Sequence, residues 1–195
     1  MQTAVILAGG RARRFNGQNK PLLPIGGTSI ICRQLKLLTS ITDSVAIVTN
    51  DVHSYSHLEV AIWKDLIPNV GPLGGIYTAL SNSRTDRTLI IAGDMPFLTK
   101  EFLQYVVHVQ EDADIVIPHN TDGYQPLCAS YGNGCQDLLK QRIEKGHLKL
   151  IDLLSDCRVY EIKSEEIKSL NPNGNLFFNI NTPEDYREAN ILASQ

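Results

Sequence analysis

Val5-Ile-Leu-Ala-Gly-Gly-Arg-Ala-Arg-Arg-Phe-Asn-Gly-Gln-Asn-Lys20 is an apolar run that passes directly into a basic, glycine-bearing loop. Ala4 to Leu7 has the β-branched and aliphatic composition of a buried strand. It ends at Gly9-Gly10, which permit backbone geometry and close ligand approach that other residues resist. The following segment carries Arg11, Arg13, Arg14 and Lys20 without an acid among them. Free N–H groups around Leu7, Ala8, Gly9 and Gly10 can therefore converge with these cations on one polyanion. A glycine turn with a solvated basic loop would explain the two glycines alone, but not an acid-free window holding four cations. The ligand expected is a triphosphate, with Arg14 and Lys20 neutralising its charge.

The loop differs from two better-known phosphate cradles. There is no Gly-Lys-Ser/Thr opening a helix, and no Gly-x-Gly-x-x-Gly in a tight strand-to-helix turn. Beyond it, Pro21 to Ile25 should be extended because of its two prolines. Gly26-Gly27 turns the chain, and Thr28 or Ser29 caps a helix reaching about Thr39. Val45 to Thr49 and Val60 to Trp63 read as further strands, the second delivering Asp65. A second glycine-rich loop, Pro68 to Gly75, opens onto a helix from Ile76 to Ser81. Thr88 to Ala92 is the most apolar strand and is expected at the centre of the sheet. Thr99 caps a helix over 100–110.

Strand and helix alternate to this point, which predicts an α/β protein: a three-layer, mostly parallel, doubly wound sheet with helices on both faces. The rhythm then changes. Ile115 to Pro118 and Gln125 to Tyr131, joined through Thr121-Asp-Gly123, imply an antiparallel element in the C-terminal half. Helices follow at about 136–145 and 149–154, then a strand from Arg158 to Ile162 and a polar loop over 169–175. Phe177-Phe-Asn-Ile-Asn181 leads into a terminal helix, capped by Thr182 with Pro183 and acids in its first turn.

Asp94 follows the central strand directly, so it should lie at the sheet's carboxyl edge beside the first loop. Reaction at the α-phosphate of a nucleoside triphosphate calls for a divalent cation, normally Mg²⁺, which takes oxygen ligands. Asp94 is the candidate metal ligand. As a purely structural residue it would cap the following turn. His53 and His57 have helical spacing, but with no third ligand they read as a solvated face.

A chain of 195 residues can bury about 70% of its unfolded surface as one domain. The whole of 1–195 is expected to form one unit, with a nucleotide-binding half over about 1–110 and an acceptor-binding half over about 111–195. A 43% hydrophobic and 20% charged composition is that of a globular protein, and a net charge of −3 argues against nucleic acid as a partner. Cys32, Cys128, Cys135 and Cys157 are scattered without a Cys-x-x-Cys pair, which reads as reduced thiols. No apolar run approaches the ~20 residues of a membrane span and no secretory signal is visible, so a cytoplasmic protein without membrane contact is expected.

Leu7-Ala8-Gly9-Gly10, Arg14, Gly17 and Lys20 together resemble the Leu-Ala-Gly-Gly-x-x-x-Arg-x-Gly-x-x-Lys signature of nucleotidyltransferases with a Rossmann-like, glycosyltransferase-A type of fold, in particular the molybdenum cofactor guanylyltransferases (the MobA family). Gly93-Asp94-Met-Pro-Phe-Leu98 resembles that family's metal-binding motif. By the same matching Asp65, a few residues before Gly71-Pro-Leu-Gly-Gly-Ile76, stands where the family binds nucleotide, and Asn50 is a candidate for meeting base or ribose. Gln125-Pro-Leu resembles the family's Gln-Pro-Leu strand, which implies a binding role for Gln125. Asn179-Ile-Asn-Thr-Pro-Glu-Asp185 resembles the block that implies pterin binding by Asn179 and Asn181; as structural residues the two asparagines would shape the capped turn. The resemblance implies transfer of GMP from GTP to the phosphate of molybdopterin, the organic part of the molybdenum cofactor, and transient contact with other proteins of cofactor biosynthesis. The departures are Phe15-Asn16 for Met-Gly, Asn19 where Asp usually precedes the lysine, and Lys149 where arginine is expected. From the residues alone, a cytidylyl- or sugar-phosphate nucleotidyltransferase, or a non-catalytic nucleotide-binding regulator, remains open.

Overall fold

The computed structural model describes residues 1–9, 19–109, 112–171 and 174–194. Gly10 and Arg14 of the basic loop lie outside the described residues. Ten strands and seven helices are assigned among the described residues. β1 is Thr3–Leu7; the hairpin strands β2 (Pro24–Ile25) and β3 (Thr28–Ser29) turn through Gly26-Gly27 and lead into α1 (Ile30–Thr39). Then come β4 (Ser44–Val48), α2 (Val52–Tyr55), β5 (Ala61–Trp63), α3 (Pro72–Asn82), β6 (Arg87–Ala92) and α4 (Lys100–His108). The second half adds β7 (Ile115–Asn120), β8 (Gly123–Tyr124), β9 (Cys128–Gly132), α5 (Cys135–Glu144), β10 (Val159–Ile162), α6 (Ser164–Leu170) and α7 (Pro183–Leu192).

The main sheet runs β10-β7-β9-β6-β1-β4-β5, with β8 paired to β7. Pairs β1/β6, β1/β4, β4/β5 and β7/β10 are parallel. β9 lies antiparallel between β6 and β7, and is the reversed strand anticipated in the C-terminal half. Alternation along β1 sends Ala4 and Ile6 to one face and Val5 to the other. The first face is covered through Ile31 and Leu38 of α1, Phe102, Leu103 and Val106 of α4 and Ile167 of α6; the second through Leu73, Ile76 and Leu80 of α3 and Leu139 of α5. Helices therefore lie on both faces of a mostly parallel α/β sheet. No helix among the described residues is long and apolar enough to cross a membrane.

β1 and β6 are neighbours whose onward connections diverge. From β1 the chain passes through α1 to β4 on one side, and from β6 through α4 to β7 on the other. Their carboxyl ends form a topological switch point, the crevice where open α/β sheets bind ligands.

Local differences from the sequence reading have identifiable causes. Lys20–Leu22 is a 3-10 turn rather than extended chain, because Pro21 sits at a first-turn position where its missing N–H costs nothing. α3 starts at Pro72, four residues before the expected Ile76, since Pro72 also suits a first turn and Gly71 before it has φ +66°. α4 ends at His108 rather than Gln110. The expected strand from Gln125 begins only at Cys128, and the helix expected over 149–154 is a 3-10 segment, Leu150–Asp156. The sequence reading had no helix at α6, whose single buried residue is Ile167; Glu166 accepts from the Lys163 N–H at 2.9 Å to close its first turn.

Candidate functional site

A cleft of about 970 Å³ opens at the switch point, lined by Leu7, Ala8 and Gly9 after β1, Thr49 to Asp51 after β4, Asp65 after β5, and Gly93-Asp94 after β6. Lys20, from the 3-10 turn, completes its floor. Its Nζ donates to Asn181 Oδ1 at 3.0 Å and stands 3.8 Å from Asp94 Oδ2. Three segments distant in sequence thus meet at one ammonium group. Burial raises the Asp94 pKa above the usual carboxylate range, and the Lys20 charge only partly offsets it. The carboxylate is desolvated on one side and open to the cleft on the other.

The backbone around Asp94 is tied to the sheet and to the C-terminal segment. Gly93 N–H donates to the Leu7 carbonyl at 3.0 Å, and Ile180 N–H to the Asp94 carbonyl at 3.0 Å. A Cβ at Gly93 would come within 2.8 Å of Pro21 Cγ and 3.2 Å of the Leu7 carbonyl oxygen, so only glycine lets the β6 exit pack against the lysine turn. Ile180 itself is buried in a cluster with Ile25, Ile30 and Ala189, against which Phe97 and Phe178 pack edge to face. Through this cluster α7 and the β2–β3 hairpin hold Asn181 over the sheet edge. The terminal helix starts there because Thr182 and Asp185 form a reciprocal cap, and Asp185 also accepts from the Asn181 N–H at 2.7 Å.

Asp65 lies at the other wall. Asn50 Nδ2 donates to its Oδ2 at 3.1 Å, and the Thr78 hydroxyl to its Oδ1 at 3.3 Å; burial raises its pKa while these two bonds oppose the rise. Asn50 and Asp65, both expected near the nucleotide, are thereby joined. Beneath them Gly74 belongs to α3, where a Cβ would meet the Ile67 carbonyl oxygen and Val70 Cγ2, each at 2.7 Å. Gly74→Ala is expected to cost about 1–3 kcal/mol and to push the Asp65 loop outward. A thermal melt and nucleotide titration of that variant check it: a wild-type melt with wild-type affinity would refute the close packing.

Asn179 and Gln125 stand differently. The Asn179 amide donates to the Phe177 carbonyl at 2.9 Å and shapes the local turn. Gln125 donates to Asn120 Oδ1 at 3.1 Å, at the carboxyl end of β7. Neither is joined to Lys20 or Asp94 by a hydrogen bond recorded among the described residues. Lys149, the departure from the expected arginine, pairs locally with Asp152 at 3.4 Å and is largely exposed. His53 and His57 are exposed, and no group of three or more potential metal-binding side chains occurs among the described residues.

Sequence reasoning missed three contributors. Tyr55, which stands between the two histidines read as a solvated face, is fully buried and donates to Asn19 Oδ1 at 2.6 Å, bracing the residue before Lys20. The Thr49 hydroxyl donates to the Ala8 carbonyl at 3.1 Å and accepts from the Asp51 N–H, linking the loops after β1 and β4. Gln34 lies in the buried stripe of α1 with Ile30, Ile31 and Leu38, where its polar side chain gives no sign of burial in the sequence. Two cysteines far apart in sequence, Cys135 and Cys157, also come together at the sheet's amino edge, each thiol perturbed by the other.

Gly9, Lys20 and Asp94 line one cleft at the switch point of a mostly parallel α/β sheet, an architecture that suits nucleotide binding, and similarity to known proteins gives the class as a nucleotidyltransferase. The chain belongs to the MobA-like NTP transferase domain family, whose model matches residues 4–158. It is 35% identical to a probable molybdenum cofactor guanylyltransferase of Pelotomaculum thermopropionicum, over 98% of this chain and 93% of that protein. A probable molybdenum cofactor guanylyltransferase of Clostridium perfringens is 32% identical, covering 96% of this chain and 95% of the relative. The crystal structure of molybdopterin-guanine dinucleotide biosynthesis protein A from Archaeoglobus fulgidus superposes with a TM-score of 0.86 at 29% identity, covering 100% and 99% of the two chains.

Proposed function

We propose that this protein transfers GMP from GTP to the phosphate of molybdopterin, giving the guanine dinucleotide form of the cofactor and pyrophosphate. The observation that carries the reading is the meeting of Lys20 with Asp94 and Asn181. It joins the phosphate loop, the acid after β6 and the Asn-Ile-Asn block of the acceptor half at one point. The guanine and the pterin come from the names of the relatives; the triphosphate chemistry is supported by the residues.

In the proposed step an oxygen of the acceptor phosphate attacks the α-phosphorus in line, and the bond to the bridging oxygen breaks with its electron pair leaving on pyrophosphate. The acceptor phosphate is ionised at neutral pH, so no strong base is required. The Ala8 N–H expected to join the cradle is instead spent on the Val48 carbonyl at 2.9 Å, extending the β1–β4 ladder. Backbone N–H groups of Gly9 and Gly10 position the phosphates, while Lys20 and Arg14 stabilise charge on the departing group. Asp94, whose carboxylate lines the cleft and stays partly exposed to it, fits a hard cation of the Mg²⁺ type, which takes one or two protein carboxylates and otherwise phosphates and water. Nucleotidyltransferases of this kind are generally divalent-metal dependent; when bound, Mg²⁺ supplies neutralisation of the phosphate oxygens. Asp65 and Asn50 serve the nucleoside, Gln125, Asn179 and Asn181 the pterin. The nucleotide half spans about 1–110 and the acceptor half about 111–195 of one unit, working in the cytoplasm.

The test is isothermal titration of wild type and Asp94→Ala with GTP, CTP, ATP and UTP, each with and without Mg²⁺. Selective GTP binding whose Mg²⁺-dependent part disappears in the variant is expected. CTP selectivity would move the protein to the cytidylyl branch, and absence of triphosphate binding would overturn the reading of the loop.

A further inference from the structure

Gln34 occupies the buried stripe of α1 together with Ile30, Ile31 and Leu38, and is 1% exposed. An amide among aliphatic side chains is costly unless its polar atoms are matched. Its Nε2 donates to the Ala92 carbonyl at 2.7 Å and to the Met95 carbonyl at 3.0 Å. These two carbonyls bracket Gly93-Asp94, the turn that leaves the sheet at the switch point. Ala92 is the last residue of β6, and α4 begins only at Lys100. Gln34 therefore bridges the gap from across the core.

The two ends of the amide are treated unequally. Oε1 is buried with no hydrogen-bond partner among the described residues, a desolvation cost that nothing offsets. The side chain is not an optimal core filler. What it provides is a fixed separation between the carbonyls on either side of Asp94. With the Gly93 N–H on Leu7 and the Ile180 N–H on the Asp94 carbonyl, the turn is held from three directions. Such over-determination sets the direction of a carboxylate that must reach a cation at one position in the cleft.

We propose that Gln34 is a positioning residue for Asp94, setting the carboxylate for divalent-cation binding from the opposite side of the β6 exit turn. The inference rests on the reading of Asp94 as the metal ligand. Outer residues that orient a metal ligand typically change metal affinity by roughly 10–100-fold when removed.

The variants are Gln34→Met, which keeps length and volume but removes both donors, and Gln34→Glu, which keeps the shape and regains one donor only when protonated. Asp94→Asn is run in parallel. Mg²⁺, and separately Mn²⁺, is titrated calorimetrically into GTP-saturated protein, with metal-free GTP affinity and the melting temperature measured alongside. The expected result for Gln34→Met is a roughly tenfold or greater weakening of cation binding, with metal-free GTP affinity within about twofold of wild type. For Gln34→Glu the cation affinity should fall further behind wild type as pH rises. Unchanged cation affinity in Gln34→Met, with loss in Asp94→Asn, would overturn the role of Gln34 and leave Asp94 as ligand. Unchanged affinity in both would overturn the metal assignment itself. If neither Gln34 variant folds, the amide is a requirement of folding and the positioning role fails.

Discussion

Asp94→Asn is expected to lose about 10³-fold in pyrophosphate release, equivalent to roughly 4 kcal/mol, while its metal-free form melts no lower than wild type at neutral pH. The two halves of this expectation come from one environment. Burial lifts the folded-state pKa of Asp94, so the folded protein binds its proton more tightly than the unfolded chain does. For an acid with a raised pKa, stability falls as pH rises from the unfolded value through the folded one, and the ionised group remains a cost above both. Asparagine keeps the shape without the charge and removes that cost. The gain in melting temperature over wild type in the presence of a chelator should therefore shrink as pH is lowered. A variant that is inactive because it is misfolded would show the opposite, a depressed melt at every pH. Near-normal turnover in Asp94→Asn would remove the acid from the chemistry altogether.

The elements that place Asp94 were legible because they are periodic. β1, β4 and β6 are continuous apolar runs, as strands buried on both faces must be, and the acid after such a run has to fall at the sheet edge. The caps at Ser29, Thr99 and Thr182 were equally visible, since a hydroxyl before an amphipathic run has few other uses. What was hidden depends on contacts between distant segments. α6 has only Ile167 fully committed to the core and so carries a weak helical pattern. Gln34 and Tyr55 break local expectation, one a polar residue in an apolar stripe and the other an aromatic in a polar stretch. Only the carbonyls of Ala92 and Met95 and the amide of Asn19 explain them. Asn181 was anticipated through the resemblance, but its partnership with Lys20 spans 161 positions and no local pattern encodes it. The pairing of Cys135 with Cys157 is of the same kind.

Lys20→Ala should lower kcat by about 10²–10³, or ~3–4 kcal/mol, the effect of removing one donor aimed at developing charge. The metal-free protein should be destabilised as well, in contrast to Asp94→Asn. Lys20 is mostly covered, and its charge is the main influence that opposes the rise in the Asp94 pKa. Without it the carboxylate stands desolvated beside a methyl group, its pKa rises further, and the stability penalty at neutral pH grows. Stability and activity in the double variant then separate the two roles. Lys20→Ala with Asp94→Asn should recover much of the stability lost by Lys20→Ala alone, because the uncompensated charge is gone. Its turnover should fall by much less than the product of the two single losses, since residues acting on one transition state are not additive. Lys20→Arg keeps the charge, but its planar fork cannot reproduce a point contact set between Asn181 Oδ1 and Asp94 Oδ2, so it should restore the melt more fully than kcat. Multiplicative losses in the double variant would mean that lysine and acid serve separate steps. Full recovery of kcat by arginine would reduce Lys20 to a source of local charge, with no demand on its geometry.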